Sequence, residues 1–284
     1  MVTLANAELS VQLLDPTADR DRLGSRYCWG GYIWQVFDAA GHPLVTGPEW
    51  PHPAPRPFNG QGLPESFRFR RRSGEALTWN GREGVHLGGG RIALDAQGEV
   101  VVVEPCHWTV ERTADSITYR TDQRTLGYDT TLVREIRLTG RTLHSVSRLT
   151  HRAAQPLSLE WFPHPFFALT DRLIEVEVPP ACRLAENPGF SLEGRRLASR
   201  KRFDGERDGH MDFLLLPPGV PVRARLSHPQ LQYVDFSTSY APSECVIWGN
   251  GNTFSIEPYL AAVLAPGETK EWSVTTAFGP VRAS

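Results

Sequence analysis

Short segments of β-forming residues follow one another along most of this chain, and turn residues separate them. "SVQLL" at 10–14, "VVVV" at 100–103, "SITY" at 116–119 and "TLVREIRL" at 131–138 are examples, and "LHSVSRL" at 143–149 alternates apolar and polar side chains. Branched and aromatic residues in runs of this length favour extended backbone. No segment shows the period of an amphipathic helix. We therefore predict an all-β fold whose sheets form a sandwich or a barrel.

Turn dipeptides support this prediction. Asn80-Gly81, Pro218-Gly219 and Pro266-Gly267 stand between the strand-like runs. Glycine reaches positive φ without strain, and proline presets its own φ. The aromatic-rich run "RYCWGGYIWQVF" at 26–37 is predicted to be another strand.

Composition bounds the class of protein. The chain has 284 residues, 40% of them hydrophobic, which suffices for a large core, and we expect one domain over 1–284. The net charge of -2 comes from mixed acidic and basic residues, so neither a nucleic acid nor a membrane is an expected partner.

The start of the chain and its cysteines suggest a compartment. Residues 1–8 do not read as a secretory signal, and no apolar run approaches the length of a membrane span. Cys28, Cys106, Cys182 and Cys245 are widely spaced, which fits neither a disulfide scaffold nor a zinc site. We expect buried, reduced thiols in a cytoplasmic protein that holds no metal.

One segment is dense in proline and glycine. Residues 47–65 read "GPEWPHPAPRPFNGQGLPE". A loop this long inside a domain is usually functional or mobile, so we expect it to cover or border a site.

A histidine interrupts an apolar run, "LEWFPHPFFAL" at 159–169. In a strand, Glu160, Phe162 and His164 would share one face, opposite Trp161. The prolines on either side of His164 indicate an edge, a bulge or a bend, and bulges often re-aim side chains near sites. A core histidine bonded to backbone is the alternative.

A glutamate has a similar setting in "NTFSIEPYL" at 252–260. Ser255, Glu257 and Tyr259 would share one strand face, and Pro258 would end the strand. Hydroxyl and aromatic groups together suit a sugar, which needs both hydrogen bonds and ring contacts. A solvent-facing glutamate on an exposed sheet is the alternative.

Several motifs, in order, resemble the aldose 1-epimerase (galactose mutarotase-like) superfamily. They are "PHPFFAL" around His164, "FSIEPYL" around Glu257 and "LAPGETKEW" at 264–272, with "GSRYCWGGYIWQVFDAAGHPLVTGPEW" and "NGQGLPESF" resembling a less-studied branch. The resemblance implies a β-supersandwich with a sugar on its concave face and no cofactor. It also implies that Glu257 is the base on the anomeric O1–H and His164 the acid on the ring oxygen.

The resemblance also suggests substrate-binding residues, although Pro163 and Phe166 replace the Asn and Tyr usual near this histidine. A second histidine could be His86, in "GVHLGGGRI", or His107, in "EPCHWTV". The family's arginine could be Arg68, Arg70 or Arg26, and Asp212 could be an acidic ligand. The sugar and the oligomeric state stay open.

Two other functions remain compatible with these motifs. The same face could bind a carbohydrate without turnover. A glycosidase or lyase on a related scaffold could pair Glu257 with Glu160 or Glu104, since a retaining glycosidase needs two carboxylates about 5 Å apart.

Overall fold

The computed structural model describes residues 1–282, and over that range the protein is all-β, as predicted. The helical content of these residues is one 3₁₀ turn, Arg20–Arg22. The strands are β1 Val2–Ala5, β2 Leu9–Leu13, β3 Ile33–Asp38, β4 Glu65–Phe67, β5 Glu83–His86, β6 Gly90–Leu94, β7 Val100–Pro105, β8 Thr109–Arg112, β9 Ser116–Thr125, β10 Tyr128–Thr139, β11 Thr142–His151, β12 Leu157–Pro163, β13 Glu175–Glu177, β14 Arg183–Leu184, β15 Phe190–Glu193, β16 Arg196–Ser199, β17 Gly209–Leu215, β18 Arg223–Leu226, β19 Val234–Thr238, β20 Glu244–Asn250, β21 Phe254–Leu264 and β22 Thr269–Phe278.

The strands form two large antiparallel sheets and two small ones. The larger has the order β15-β16-β13-β18-β19-β22-β11-β10-β9-β8, and the six-stranded sheet has the order β14-β17-β20-β21-β12-β4. The strands β1-β2-β3 and β5-β6-β7 make the two small sheets. This layered arrangement is a sandwich, as the strand-rich sequence predicts.

Aromatic side chains join the two large sheets. The ring of Trp161 on β12 lies 5.3 Å from that of Trp272 on β22, and Phe67 on β4 lies 6.0 Å from Trp272. All three side chains are buried. Because alternate residues of a strand point to opposite faces, the inward Trp161 leaves Glu160 and Phe162 on the outer face of the six-stranded sheet.

A buried ion pair also crosses between these sheets. Arg134 on β10 lies 2.6 Å from a carboxylate oxygen of Glu65 on β4. Ser145 donates to the other oxygen of Glu65, and Arg134 donates to the carbonyl of Gly30. Each charge therefore has hydrogen-bond partners, which a buried pair needs to offset its desolvation.

The predicted turns are confirmed, and the predicted strand at 26–37 is too long. Gly81, Gly219 and Gly267 have φ of 96°, 75° and 82° and lie between strands. β3 begins only at Ile33, because Gly31 takes a φ of 70° and turns the chain just before it. Residues 26–32 therefore form an irregular segment.

Pro258 does not end its strand, contrary to the prediction. β21 continues to Leu264, with Pro258 opposite Cys245 of β20. The pairing of β21 with β12 starts only at Leu260, so Pro258 stands where that ladder has not begun. A proline is tolerated in a strand where no neighbour needs its missing N–H.

Among residues 1–282, no helix has the length and apolar character required to span a lipid bilayer.

Candidate functional site

A groove of about 670 Å³ opens on the outer face of the six-stranded sheet. Phe162, Trp248 and Tyr259, from β12, β20 and β21, contribute aromatic surface to it. The proline-rich loop at 47–65 borders it through Pro48, Arg56, Phe58 and Asn59, as predicted. The volume lies in the range typical of small-molecule sites.

His164 follows directly after β12 and faces this groove. Its backbone N–H donates to the carbonyl of Pro64, and that of Phe166 donates to Gly62, so the chain runs along the loop at 60–64 rather than along a regular strand partner. The prolines on either side of His164 stand at this departure from regular pairing, where no N–H is required of them. These bonds fix the backbone of His164 against the loop.

The His164 ring is almost wholly enclosed by aromatic side chains. Its centroid lies 4.6 Å from that of Phe166, 5.9 Å from those of Tyr27 and Phe162, and 6.2 Å from that of Trp248. Burial, together with the nearby charge of Arg26, holds the pKa of His164 well below its ordinary value. Desolvation disfavours the imidazolium, so the free protein holds a neutral ring near pH 7.

Glu257 lies on β21 with its carboxylate 3.3 Å from Nε2 of His164. Only 4% of the residue is exposed. Burial raises its pKa to about 7, against the opposing influence of the Arg26 charge and of the hydrogen bond from Ser255. The carboxyl group is therefore poised to gain or lose a proton near neutrality.

Arg26 fixes the tautomer of His164. Its guanidinium lies 3.0 Å from Nε2, and Nδ1 lies 3.1 Å from Oγ of Ser255. An arginine can only donate, so Nε2 accepts and the ring proton is on Nδ1, which donates to Ser255. In this state Nε2 carries no proton to give.

Arginines dominate the charged lining of the groove. Arg68 and Arg70 lie there, as does Arg26, in keeping with their selection as candidates, and Arg72 and Arg56 join them. Arg56 is already paired with Glu49 and Glu206. Arg68 and Arg72 approach carboxylates at longer distances, 3.4 Å from Glu160 and 3.6 Å from Glu244, and Arg26 contacts His164.

The other candidates do not line the groove. His86 is fully buried at the end of β5, where burial lowers its pKa to about 4. A side chain on the neighbouring Gly89 would meet the His86 ring at 2.1 Å, so the glycines beside it serve close packing. His107 is exposed between β7 and β8. Asp212 is half-buried on β17 and accepts from the backbone N–H of Phe213.

The structure adds Arg72 and Trp248 to the residues selected from the sequence, and it places Ser255 and Tyr259 beside Glu257 as the strand pattern predicts. Ser255 and Tyr259 flank Glu257 at two-residue spacing, and the alternation of β21 was sufficient to find them. Arg72 continues the run from Arg68, although its position over the Tyr259 ring depends on packing. Trp248 comes from β20 and had no distinguishing sequence signal.

Glu160 and Glu104 lie apart from Glu257. Glu160 stands opposite Ala261 in the register of β12 and β21, four residues beyond Glu257, which is about 13 Å along a strand. Glu104 is exposed on β7 and pairs with Arg91. The close carboxylate pair of a retaining glycosidase is therefore not formed by these candidates.

The layered antiparallel sheets make this an all-β sandwich, and comparison with solved structures identifies the kind of sandwich. A galactose mutarotase related enzyme from Lactobacillus acidophilus superposes with a TM-score of 0.63 at 15% identity, over 99% of each chain. A galactose mutarotase-like protein from Lactobacillus casei gives 0.65 at 15% identity, over 98% of this chain and 99% of that one. A galactose 1-epimerase from Lactobacillus acidophilus gives 0.54 at 13% identity, over 97% and 93%.

The chain therefore has the galactose mutarotase-like fold, a β-supersandwich. No family model matches its sequence, and no curated protein matches it either. In residues 1–282, no three His, Cys, Asp or Glu side chains are grouped in a way that could hold a metal ion.

Proposed function

We propose that this protein interconverts the anomers of a sugar by acid–base catalysed ring opening, with Glu257 and His164 as the reacting pair. The observation that carries the proposal is the 3.3 Å separation of Glu257 Oε1 and His164 Nε2 inside a groove of sugar-binding size. The structures of similar fold include a galactose 1-epimerase, which favours the same reaction class.

The closeness of the two groups suits the chemistry. The ring oxygen and O1 of a pyranose are bonded to the same carbon, so an acid and a base acting on them must converge on one small region. Glu257 removes the proton from O1 and His164 protonates the ring oxygen. The C1–O5 bond breaks, the aldehyde rotates about C1–C2, and the reverse transfers close the ring with O1 on the other face. A positioned acid and base each contribute about 100- to 10,000-fold.

Besides the proton on Nδ1 of His164, the pair must hold one transferable proton for this reaction. Before sugar binds, that proton is favoured on Glu257, because the pKa of Glu257 is raised to about 7 while that of His164 is lowered. Arg26 occupies Nε2 in this state. His164 acts as the acid only after the proton passes to Nε2 and Arg26 turns away. The sugar hydroxyls are the natural new acceptors for the Arg26 N–H groups.

The test is the rate of α/β exchange of aldoses by NMR, with and without protein. Glu257→Gln and His164→Asn should each lower the catalysed rate by at least 100-fold while the fold is kept. Glu271→Gln is the matched control, since Glu271 is an exposed residue of β22 that pairs with Arg148. An unchanged rate in the Glu257 variant would remove that residue from the mechanism. Sugar binding without any rate enhancement would instead assign the groove to a carbohydrate-binding protein.

A further inference from the structure

The charge of the groove differs from that of the whole protein. The chain carries a formal net charge of -2. The groove lining nevertheless contains five arginines against three glutamates, and one of these, Glu257, is partly protonated near neutrality because burial raises its pKa to about 7. A neutral sugar needs no such excess, whereas a cleft lined by one sign of charge concentrates ligands of the other sign.

Two of these arginines converge on one hydroxyl group. Arg68 and Arg72 lie 3.5 and 3.4 Å from the hydroxyl oxygen of Tyr259. Each also lies near a carboxylate, Glu160 at 3.4 Å from Arg68 and Glu244 at 3.6 Å from Arg72. All four contacts are long for charge-assisted hydrogen bonds, which are usually 2.7–2.9 Å. The shorter contacts are from Arg68 Nε to the carbonyl of Arg70, at 3.0 Å, and from Arg72 Nη1 to the weakly accepting sulfur of Met211, at 2.9 Å. The other N–H groups keep donor capacity for another acceptor.

The Tyr259 hydroxyl also has a proton to offer. It accepts from both arginines, and within residues 1–282 it donates to no protein acceptor. The residue is only 2% exposed, and its ring is stacked on Phe162 with centroids 4.3 Å apart. The Arg72 guanidinium is held over the rings of Phe213 and Tyr259. A fixed O–H donor between two guanidinium groups is a preorganised set of donors for an anion.

This donor set has a defined place relative to the reacting pair. Tyr259 follows Glu257 by two residues on β21, so it lies on the same face, about 7 Å farther along the strand. On the opposite side of Glu257 along β21, Oγ of Ser255 lies 3.1 Å from Nδ1 of His164. A sugar with its anomeric carbon beside Glu257 and His164 would place a distant substituent near Tyr259.

We infer that the groove takes a sugar bearing an anionic group, a phosphate or a carboxylate, remote from C1, and that Arg68, Arg72 and the Tyr259 hydroxyl bind this group. The inference deepens the proposed function and rests on it for the reaction. It specifies the substrate class: an aldose phosphate or a uronic acid rather than a neutral hexose.

The experiment compares matched sugars. The kcat/KM of anomer exchange is measured by NMR for glucose, glucose 6-phosphate and glucuronate, and for the galactose counterparts. In the glucose set or the galactose set, at least one anionic sugar should have a kcat/KM about 10- to 100-fold above that of the neutral hexose, because charge-assisted hydrogen bonds contribute free energy of this size. A preference for the phosphate or for the carboxylate identifies which anion is used. Equal values for neutral and anionic sugars would overturn the inference and leave the proposed reaction standing.

Variants locate the effect. Arg72→Gln, Arg68→Gln and Tyr259→Phe should each reduce the ratio of anionic to neutral kcat/KM, mainly through KM. Arg91→Gln is the control, because Arg91 is a half-buried arginine that pairs with Glu83 and Glu104 outside the groove lining. A ratio that falls as much in the control as in Arg72→Gln would overturn the assignment.

Binding to the Glu257→Gln variant separates the two proposals. Calorimetric titration with glucose 6-phosphate and glucuronate should show binding that weakens in the Arg72→Gln background. If the anionic sugars bind in this way but the unaltered protein shows no exchange activity, the enzymatic proposal is refuted and the anion-binding assignment stands. Absence of binding by every anionic sugar would refute the inference drawn here.

Discussion

Nε2 of His164 lies 3.3 Å from Oε1 of Glu257, and both side chains are almost completely buried beneath the groove. Burial acts oppositely on them: it raises the pKa of the carboxyl group and lowers that of the imidazole. The pair therefore favours the state in which one transferable proton is shared and neither group is charged.

The pH dependence of exchange follows from this proton count. The free protein holds one transferable proton on the pair below about pH 7 and loses it as pH rises through the pKa of Glu257. We expect kcat/KM to fall about tenfold per pH unit above that value, after subtraction of the uncatalysed rate. A rate that instead rises through pH 7 to a plateau would contradict a mechanism that needs both groups.

Stability should depend on pH through Glu257. Its pKa is near 4.5 in an unfolded chain and about 7 in the fold, so the folded state binds the proton more tightly. The resulting contribution to the free energy of unfolding is fully present below pH 4.5 and is lost as pH rises through about 7. The change is about 3 kcal/mol at most. Glu257→Gln, which cannot ionise, should therefore gain stability over the unaltered protein between pH 5 and pH 8. Urea denaturation measures the difference, and Glu271→Gln should show no such trend.

Arg26 should control the ionisation of His164. Arg26→Met removes a positive charge and the donor to Nε2, so the pKa of His164 should rise and the Nε2–H tautomer should gain population. Nitrogen-detected NMR titration of the imidazole reports both. Arg22→Met is the control, because Arg22 also packs over an aromatic ring, that of Trp34, but away from His164. Identical titrations in the two variants would argue against the assigned contact.

The ion pair between the sheets should matter for stability. Arg134→Met leaves the carboxylate of Glu65 buried without its partner and should cost about 3–5 kcal/mol. The double change Arg134→Met with Glu65→Leu should recover part of this loss. Arg137→Gln, on the same strand but exposed, should cost less than about 1 kcal/mol. Chemical denaturation measures all three, and a small loss in Arg134→Met would show that Glu65 is rehydrated or protonated instead.

Strand alternation was the part of the sequence that predicted structure best. It placed Trp161 inward and Glu160 outward on β12, and it put Ser255, Glu257 and Tyr259 on one face of β21. These relations depend on neighbouring residues alone, so they can be inferred locally. The motif around His86 misled for a physical reason: its glycines allow tight packing around a buried ring instead of forming a loop at the groove.

The contacts that complete the site could not be predicted in this way. Arg26 reaches His164 from the irregular segment before β3, and Arg72 reaches Tyr259 from the loop after β4. Their positions depend on where loops lie against the sheet, and no periodicity encodes that. The same holds for Trp248, which enters through the pairing of β20 with β21.

The neighbouring positions of β12 and β21 have a consequence for how the protein is made. Eight strands, β13 to β20, lie between them in the chain, so His164 and Glu257 meet only after a long chain segment has closed. Closing such loops slows folding. During translation His164 is therefore synthesised well before Glu257, and a chain that ends before β21 cannot bring the two side chains together.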